Sequence, residues 1–290
     1  MSAQTKAGAR VAAPLSIRDA FYEAPGPKTR MKIRIGTAVS AVMVALLLGF
    51  VVYQFWATGQ LDPRYWEFFT WGSTWAYLMA GLRGTLTVAL TAGAIALVLG
   101  LALMLGRTSG MRWLAALCRV VTDFFRGVPS LLLIYFFFLV VPQYGIRMSS
   151  FWMITLPVAL AASGVLAEVF RAGMNAVPRG QTEAALALGM RPFRVKLKIV
   201  LPQAIRYVIP SLISQLVVVV KDTTVAYVVS YPDMLQNARV LITNYDALVS
   251  TYLVVAVIYI LLNYAINQLS VYVARCSGTR VVSRYSTNPA

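Results

Sequence analysis

Residues 178–202 read PRGQTEAALALGMRPFRVKLKIVLP and lie between two long apolar runs. Pro178 suits a helix start, Glu183 to Leu188 is strong helix former throughout, and Gly189 falls where a helix ends in a left-handed turn. Pro192 suits the first turn of a second helix with Phe193, Leu197 and Val200 on one stripe, and Pro202 marks the next break. The stretch therefore predicts two short helices at an angle, joined at a glycine. The whole connection Arg171–Arg206 is long for a compact bundle, so structure of its own is expected there. Ala184, Ala185 and Ala187 would let another protein's surface approach closely. The competing reading is a helix pair lying on a membrane surface, held by Arg191, Arg194, Lys196 and Lys198.

Working outward, apolar runs dominate the chain. Of its 290 residues 59% are hydrophobic and 12% charged, against about 25% charged in an average soluble domain. A span needs about 20 mostly apolar residues. Ile35–Ala57, Gly84–Gly106, Phe151–Phe170 and Ala247–Leu269 satisfy that with Glu168 as their one charge, and Tyr207–Ser230 does so around Lys221 and Asp222. Gly127–Val141 is short and must extend back through Val120, past Asp123 and Arg126. The expectation is an all-α membrane protein of six transmembrane helices.

The net charge of +16 would suggest nucleic acid in a soluble protein. Its distribution says otherwise. The termini and alternate connections (1–34, 107–126, 171–206, 270–290) hold 21 of the Lys and Arg residues, while the other connections hold four: Arg64, Arg83, Arg147 and Arg239. This asymmetry predicts both termini in the cytoplasm and needs no nucleic acid. The basic lead-in does not read as a cleaved signal peptide, because no small-residue cleavage pattern follows its apolar run. Trp56, Tyr65, Trp66, Phe68, Phe69, Trp71, Trp75 and Tyr77 crowd the first external loop, as an aromatic belt or a docking surface for an extracytoplasmic partner.

The chain has no histidine and only Cys118 and Cys276, which leaves no zinc motif, His-based acid–base chemistry or disulfide framework. No Gly-x-x-x-x-Gly-Lys-Ser/Thr sequence is present, so no phosphate-cradling loop is expected. Glu168, Lys221 and Asp222 cost about 2.5–3.5 kcal/mol each at the bilayer centre and should face protein or a wet cavity. Lys221 and Asp222 point about 100° apart on a helix, so a Glu168–Lys221 pair across helices is the expected arrangement. The alternative puts Lys221 or Arg171 in the cargo path, attracting an anionic amino acid. Ala92, Ala96 and Gly100 form a small-residue stripe that predicts tight helix contact.

The spacing Glu183-Ala184-Ala185, Gly189, Ile199, Leu201-Pro202 resembles the EAA loop of ABC-importer permeases. Arg126-Gly127-Val128-Pro129, Ala167-Glu168-Val169-Phe170-Arg171 and Lys221-Asp222-Thr223-Thr224 are similar to elements of the polar amino-acid branch of that family, over residues 80–272. Lys221-Asp222-Thr223-Thr224 stands where the family usually has Lys-Asp-Thr-Ser, and Tyr231-Pro232-Asp233-Met234 replaces a Glu-Leu pair. The N-terminal Phe21-Tyr22-Glu23-Ala24-Pro25-Gly26-Pro27 looks like the longer permease subunit of glutamate importers.

The resemblance implies a type I importer permease core of five spans, preceded by a basic segment (1–34) and an extra span (35–57) and followed by a cytoplasmic tail (273–290). It implies a multi-pass protein of the bacterial cytoplasmic membrane that is no enzyme and binds no cofactor. ATP and Mg would be used by a cytoplasmic ABC ATPase dimer, reached through Glu183, Ala184, Ala185, Gly189, Ile199, Leu201 and Pro202. A companion permease, an extracytoplasmic solute-binding protein, an amino acid (glutamate) and membrane lipid complete the implied partners. An ion-gradient-driven secondary amino-acid transporter is the rival reading; it leaves the loop spacing as coincidence.

Overall fold

The structure, a computed structural model, describes residues 26–276; the lead-in through Pro25 and the tail beyond Cys276 lie outside the described residues. The first unit, ending at Leu61, holds helix α1 (Pro27–Ala57). Pro27 takes the first helical position, where its missing N–H costs nothing, and none of the helix's residues is buried. Beyond its basic first turns, which end at Arg34, the helix is apolar all round, as suits a membrane span.

In the second unit, from Asp62, every regular element among the described residues is a helix. After two 3-10 turns come α2 (Gly72–Arg107), α3 (Arg112–Gly127), α4 (Ser130–Tyr144), α5 (Ser150–Ala176), α6 (Arg179–Ala187), α7 (Pro192–Val229), α8 (Met234–Tyr245) and α9 (Leu248–Cys276). Helices α1, α2, α5, α7 and α9 are each long and apolar enough to cross a membrane.

The expected third span differs. Helices α3 and α4 meet at 98°, so together they form one bent span at most. Val128 is extended at the break, as a proline imposes on the residue before it, and Pro129 stays extended with ψ 133°. Helix α3 is also amphipathic. Trp113, Leu117, Val120 and Phe124 are exposed along one side, while Thr122 is fully buried on the other.

Helix α5 is the axis of the unit, with 67% of its span buried against 39% or less in the other long helices. Glycines let three neighbours approach it. A Cβ on Gly100 of α2 would lie 2.8 Å from Leu166 Cβ, one on Gly164 would lie 2.8 Å from the Arg126 nitrogen of α3, and one on Gly173 would lie 2.9 Å from the Ala204 oxygen of α7. Ala92, Ala96 and Gly100 are buried together, as the stripe predicted. In lipid, where no hydrophobic force drives helices together, such close packing supplies much of the cohesion.

Helix α7 departs from the expected two-helix loop. The chain from Pro192 runs as one helix into the next span, and Pro202 does not break it. A π-turn over Lys196–Val200 precedes the proline, with the Leu201 N–H bonded to the Lys196 carbonyl. A proline cannot donate to the carbonyl four residues back and its ring crowds that group; the wider turn accommodates both defects. The same device recurs in α4, where a π-turn over Phe136–Val140 ends one residue ahead of Pro142.

At the α8 end, the aromatic loop divides. Trp71 and Trp75 are exposed, but Tyr65 and Phe68 belong to a core with Leu78, Met234 and Leu241, and Phe68 stacks on Tyr245 at 4.6 Å. Those two rings are core rather than belt.

Candidate functional site: a helix pair, a charged cluster and an apolar cavity

Helix α6 ends in a Schellman turn. Met190 N–H bonds the Ala185 carbonyl at 3.2 Å, Gly189 N–H bonds the Leu186 carbonyl at 2.9 Å, and Gly189 has φ +77°, which favours glycine. The turn sets α6 against the start of α7. Ala185, Val195, Val200 and Ala204 form the small core between them. Ala185 is therefore spent inside the chain, where it brings α6 close to Val195, while Glu183 and Ala184 stay exposed. Phe193 does not join Val200 on a buried stripe; it is 65% exposed beside Leu188 at 83%. The tip of the helix pair thus presents two large apolar side chains around Gly189. Ile199 packs on the small core, Leu201 packs on the main core, and Pro202 is exposed.

Glu168 does not pair with Lys221. Its Oε1 accepts from Arg107 at 2.5 Å and its Oε2 accepts from Arg171 Nε at 2.8 Å, with Arg126 at 3.7 Å. Asp123 joins the cluster, 3.7 Å from Arg126 and 3.9 Å from Arg107. Close packing of α2 on α5 carries Arg107, the last residue of α2, to Glu168. Sequence reasoning placed Arg107 in a loop and missed it; Arg171 at i+3 of Glu168 was the legible half of the cluster. Lys221 is exposed on this chain and has no ion pair among the described residues, while Asp222 is partly buried near the Ser130 side chain. Ser130 directly follows the Arg126–Pro129 motif, so the end of that motif lies near Lys221–Thr224.

A cavity of ≈ 340 Å³ opens between α2, α5 and α7. Its walls include Leu97, Leu166, Leu212, Leu216 and Val219, and Gln215 is the one polar side chain lining it. Helix α7 therefore carries both the exposed tip at Phe193 and one wall of the cavity.

Asp233 is a further buried group that sequence reasoning missed. It caps α8 by accepting from the Gln236 N–H at 2.7 Å, and its second oxygen has no hydrogen-bond partner among the described residues. Burial pushes its carboxyl up to about 6. A capping Asp before a helix was readable, but its burial under Gly81 of α2 was not.

The fold agrees with the comparisons. The family described as "Binding-protein-dependent transport system inner membrane component" matches residues 96–276. The chain belongs to this family. It is 38% identical over 225 residues to the glutamate transport system permease protein GluD of Corynebacterium glutamicum, covering 75% of this chain and 81% of that one. It is 31% identical to the glutamate/aspartate import permease protein GltK of Escherichia coli, over 71% of this chain and 97% of the relative. Among solved structures, an amino acid ABC transporter with histidines superposes with a TM-score of 0.68 at 25% identity, over 72% of this chain and 98% of that one. The permease is thus a multi-pass inner-membrane transport subunit of an amino-acid ABC importer and not an enzyme.

Proposed function

We propose that this permease imports glutamate, and that the helix pair at 179–201 couples it to a cytoplasmic ATPase dimer. The observation that carries the coupling is the exposed pair Leu188 and Phe193 around Gly189, on a helix that continues without a loop into the cavity wall. Large apolar side chains exposed at a rigid tip fit a groove on a partner. Glu183 adds a polar contact at the edge of that groove, and Gly189 sets the angle. With both termini on the cytoplasmic side, as the Lys and Arg asymmetry argues, the tip lies on the ATPase's side of the membrane.

ATP binding closes the ATPase dimer and displaces the tip. Helix α7 transmits the displacement to Leu212, Gln215, Leu216 and Val219. Two packings of the bundle, open to opposite sides, are then differentially stabilised by nucleotide. The wall on this chain offers a single amide, Gln215, too little to hold a charged amino acid away from water. The remaining polar groups come from a companion permease across the cavity, and a solute-binding protein delivers the cargo. Glutamate as cargo is supported by the likeness to the glutamate permease of Corynebacterium.

Reconstitution of the chain with its ATPase, companion permease and binding protein tests this. Labelled glutamate uptake should require ATP and vanish with Glu183→Lys, and excess unlabelled glutamate should compete better than glutamine or arginine. Uptake of another amino acid under ATP overturns the cargo. Uptake driven by an ion gradient without ATPase overturns the coupling.

A further inference from the structure

A second cavity, of ≈ 280 Å³, lies where the helix pair meets the ends of α2 and α5. Arg171, Asn175, Thr182 and Lys196 line it with hydrogen-bond donors, and Met174 and Val195 stand among its apolar walls. No carboxylate lines it.

The donors have capacity to spare. Lys196 Nζ gives one of its three protons to the Thr108 carbonyl just past α2. Arg171 uses Nε and Nη2 on Glu168, leaving its other terminal nitrogen. The side chains of Asn175 and Thr182 have no hydrogen-bond partner among the described residues. Of the two cations that line the cleft, Arg171 is paired with Glu168, whereas Lys196 faces no carboxylate among the described residues and carries a surplus positive charge. Surplus charge in a half-enclosed cleft is stabilised by a counter-anion.

The lining also selects the type of anion. A free amino acid brings an ammonium group, for which the cleft has no acidic partner. A phosphate group brings only acceptor oxygens, matching a set of guanidinium, ammonium, amide and hydroxyl donors. The apolar walls suit the glycerol and first methylenes of a lipid. Basic pockets at the cytoplasmic ends of spanning helices are places where anionic headgroups bind.

We infer that this cleft is a phosphate site, filled by the headgroup of an anionic phospholipid that ties the helix pair to α5. Lys196 reaches it from α7 and Arg171 from α5, so the bound headgroup bridges the two elements. Occupancy thus sets how firmly the helix pair is attached to the bundle.

The test uses the full chain, delipidated in a neutral detergent. Its melting is followed with short-chain phosphatidylglycerol, short-chain phosphatidylcholine, glycerol phosphate or inorganic phosphate. Phosphatidylglycerol should stabilise the chain and phosphatidylcholine should not. Lys196→Gln should weaken the phosphatidylglycerol response about tenfold, the usual scale for a lost charged hydrogen bond, and Lys196→Arg should restore it. Melting of each variant without ligand separates a binding defect from a folding one. An equal response to inorganic phosphate upholds the phosphate site and overturns the lipid as its source. A phosphatidylglycerol response unchanged in Lys196→Gln, or no response to any phosphate, overturns the site.

Discussion

Glu168→Gln is the substitution whose cost the structure predicts most directly. The carboxylate lies 2.5 Å from Arg107, and both side chains are 17% exposed. Arg171 and Arg126, at 41% and 50% exposed, are screened and add little. Removing one member of a buried pair costs about 3–5 kcal/mol, because the other charge is left without a partner. Arg107 keeps Asp123 at 3.9 Å, which argues for the lower end. At roughly 2–3 °C per kcal/mol for a chain of this size, about 3 kcal/mol lowers the melting temperature by about 6–9 °C. The assay is thermal unfolding of the purified chain in one detergent, run as a double-mutant cycle with Arg107→Gln. The two substitutions together should cost about 2 kcal/mol less than their sum, since each alone strands the same partner. Lys221→Met serves as the outside reference and should add to Glu168→Gln within about 0.5 kcal/mol. Additive behaviour with Arg107, or a coupling to Lys221 as large as that to Arg107, would refute the reasoning.

Other substitutions probe separate parts of the molecule. Gly164→Ala places a Cβ 2.8 Å from the backbone of α3, and should destabilise by about 1–3 kcal/mol through displacement of that helix, measured by the same unfolding assay. Asp233→Asn keeps the cap and removes the charge. The native carboxyl holds its proton up to about pH 6 while the unfolded one releases it near 3.8, so the stability from the protonated form is complete below 3.8 and is lost as pH rises through 6. Wild type should therefore weaken between pH 4 and 7, whereas Asp233→Asn should stay flat and exceed wild type at pH 8 by up to about 3 kcal/mol; parallel pH profiles of the two proteins count against the buried charge. Gly189→Asp, forced to φ +77°, should uncouple ATP hydrolysis from uptake in the reconstituted importer while the protein still inserts. Normal coupled uptake by that variant removes the helix pair from the coupling role.

Much of this architecture was legible because it is local. Each of the five long apolar helices announces itself in a window of contiguous residues, and the stripe Ala92, Ala96, Gly100 repeats at helical spacing. What was misread depends on distance or on backbone detail. Arg107 meets Glu168 across 61 positions of sequence, so no spacing rule connects them, whereas Lys221 was nominated only because its charge in an apolar run needed a partner. The bend at Pro129 was missed because the short apolar run Gly127–Val141 was extended back through Val120 as one span. Pro202 was read as a stop because a proline breaks a regular α-helix; the π-turn before it shows that the rule holds for α geometry and not for a wider turn. Within the helix pair, the glycine and its turn were readable from sequence, but the outward position of Phe193 follows from Val195 and Val200 taking the inner face.

The unbroken path from Pro192 to Val229 bears on how such a protein tolerates change in evolution. A loop absorbs insertions and deletions, since its ends need only stay within reach. A helix does not. One residue gained or lost between Phe193 and Leu212 would rotate the cavity wall by about 100° relative to the tip and shift it by about 1.5 Å. Side-chain identity along the segment can drift, but its length is locked in phase with the cavity. The interval from Gly189 to Pro202 is thus an angular setting, and the π-turn at Lys196–Val200 is a permanent one-residue advance in that setting.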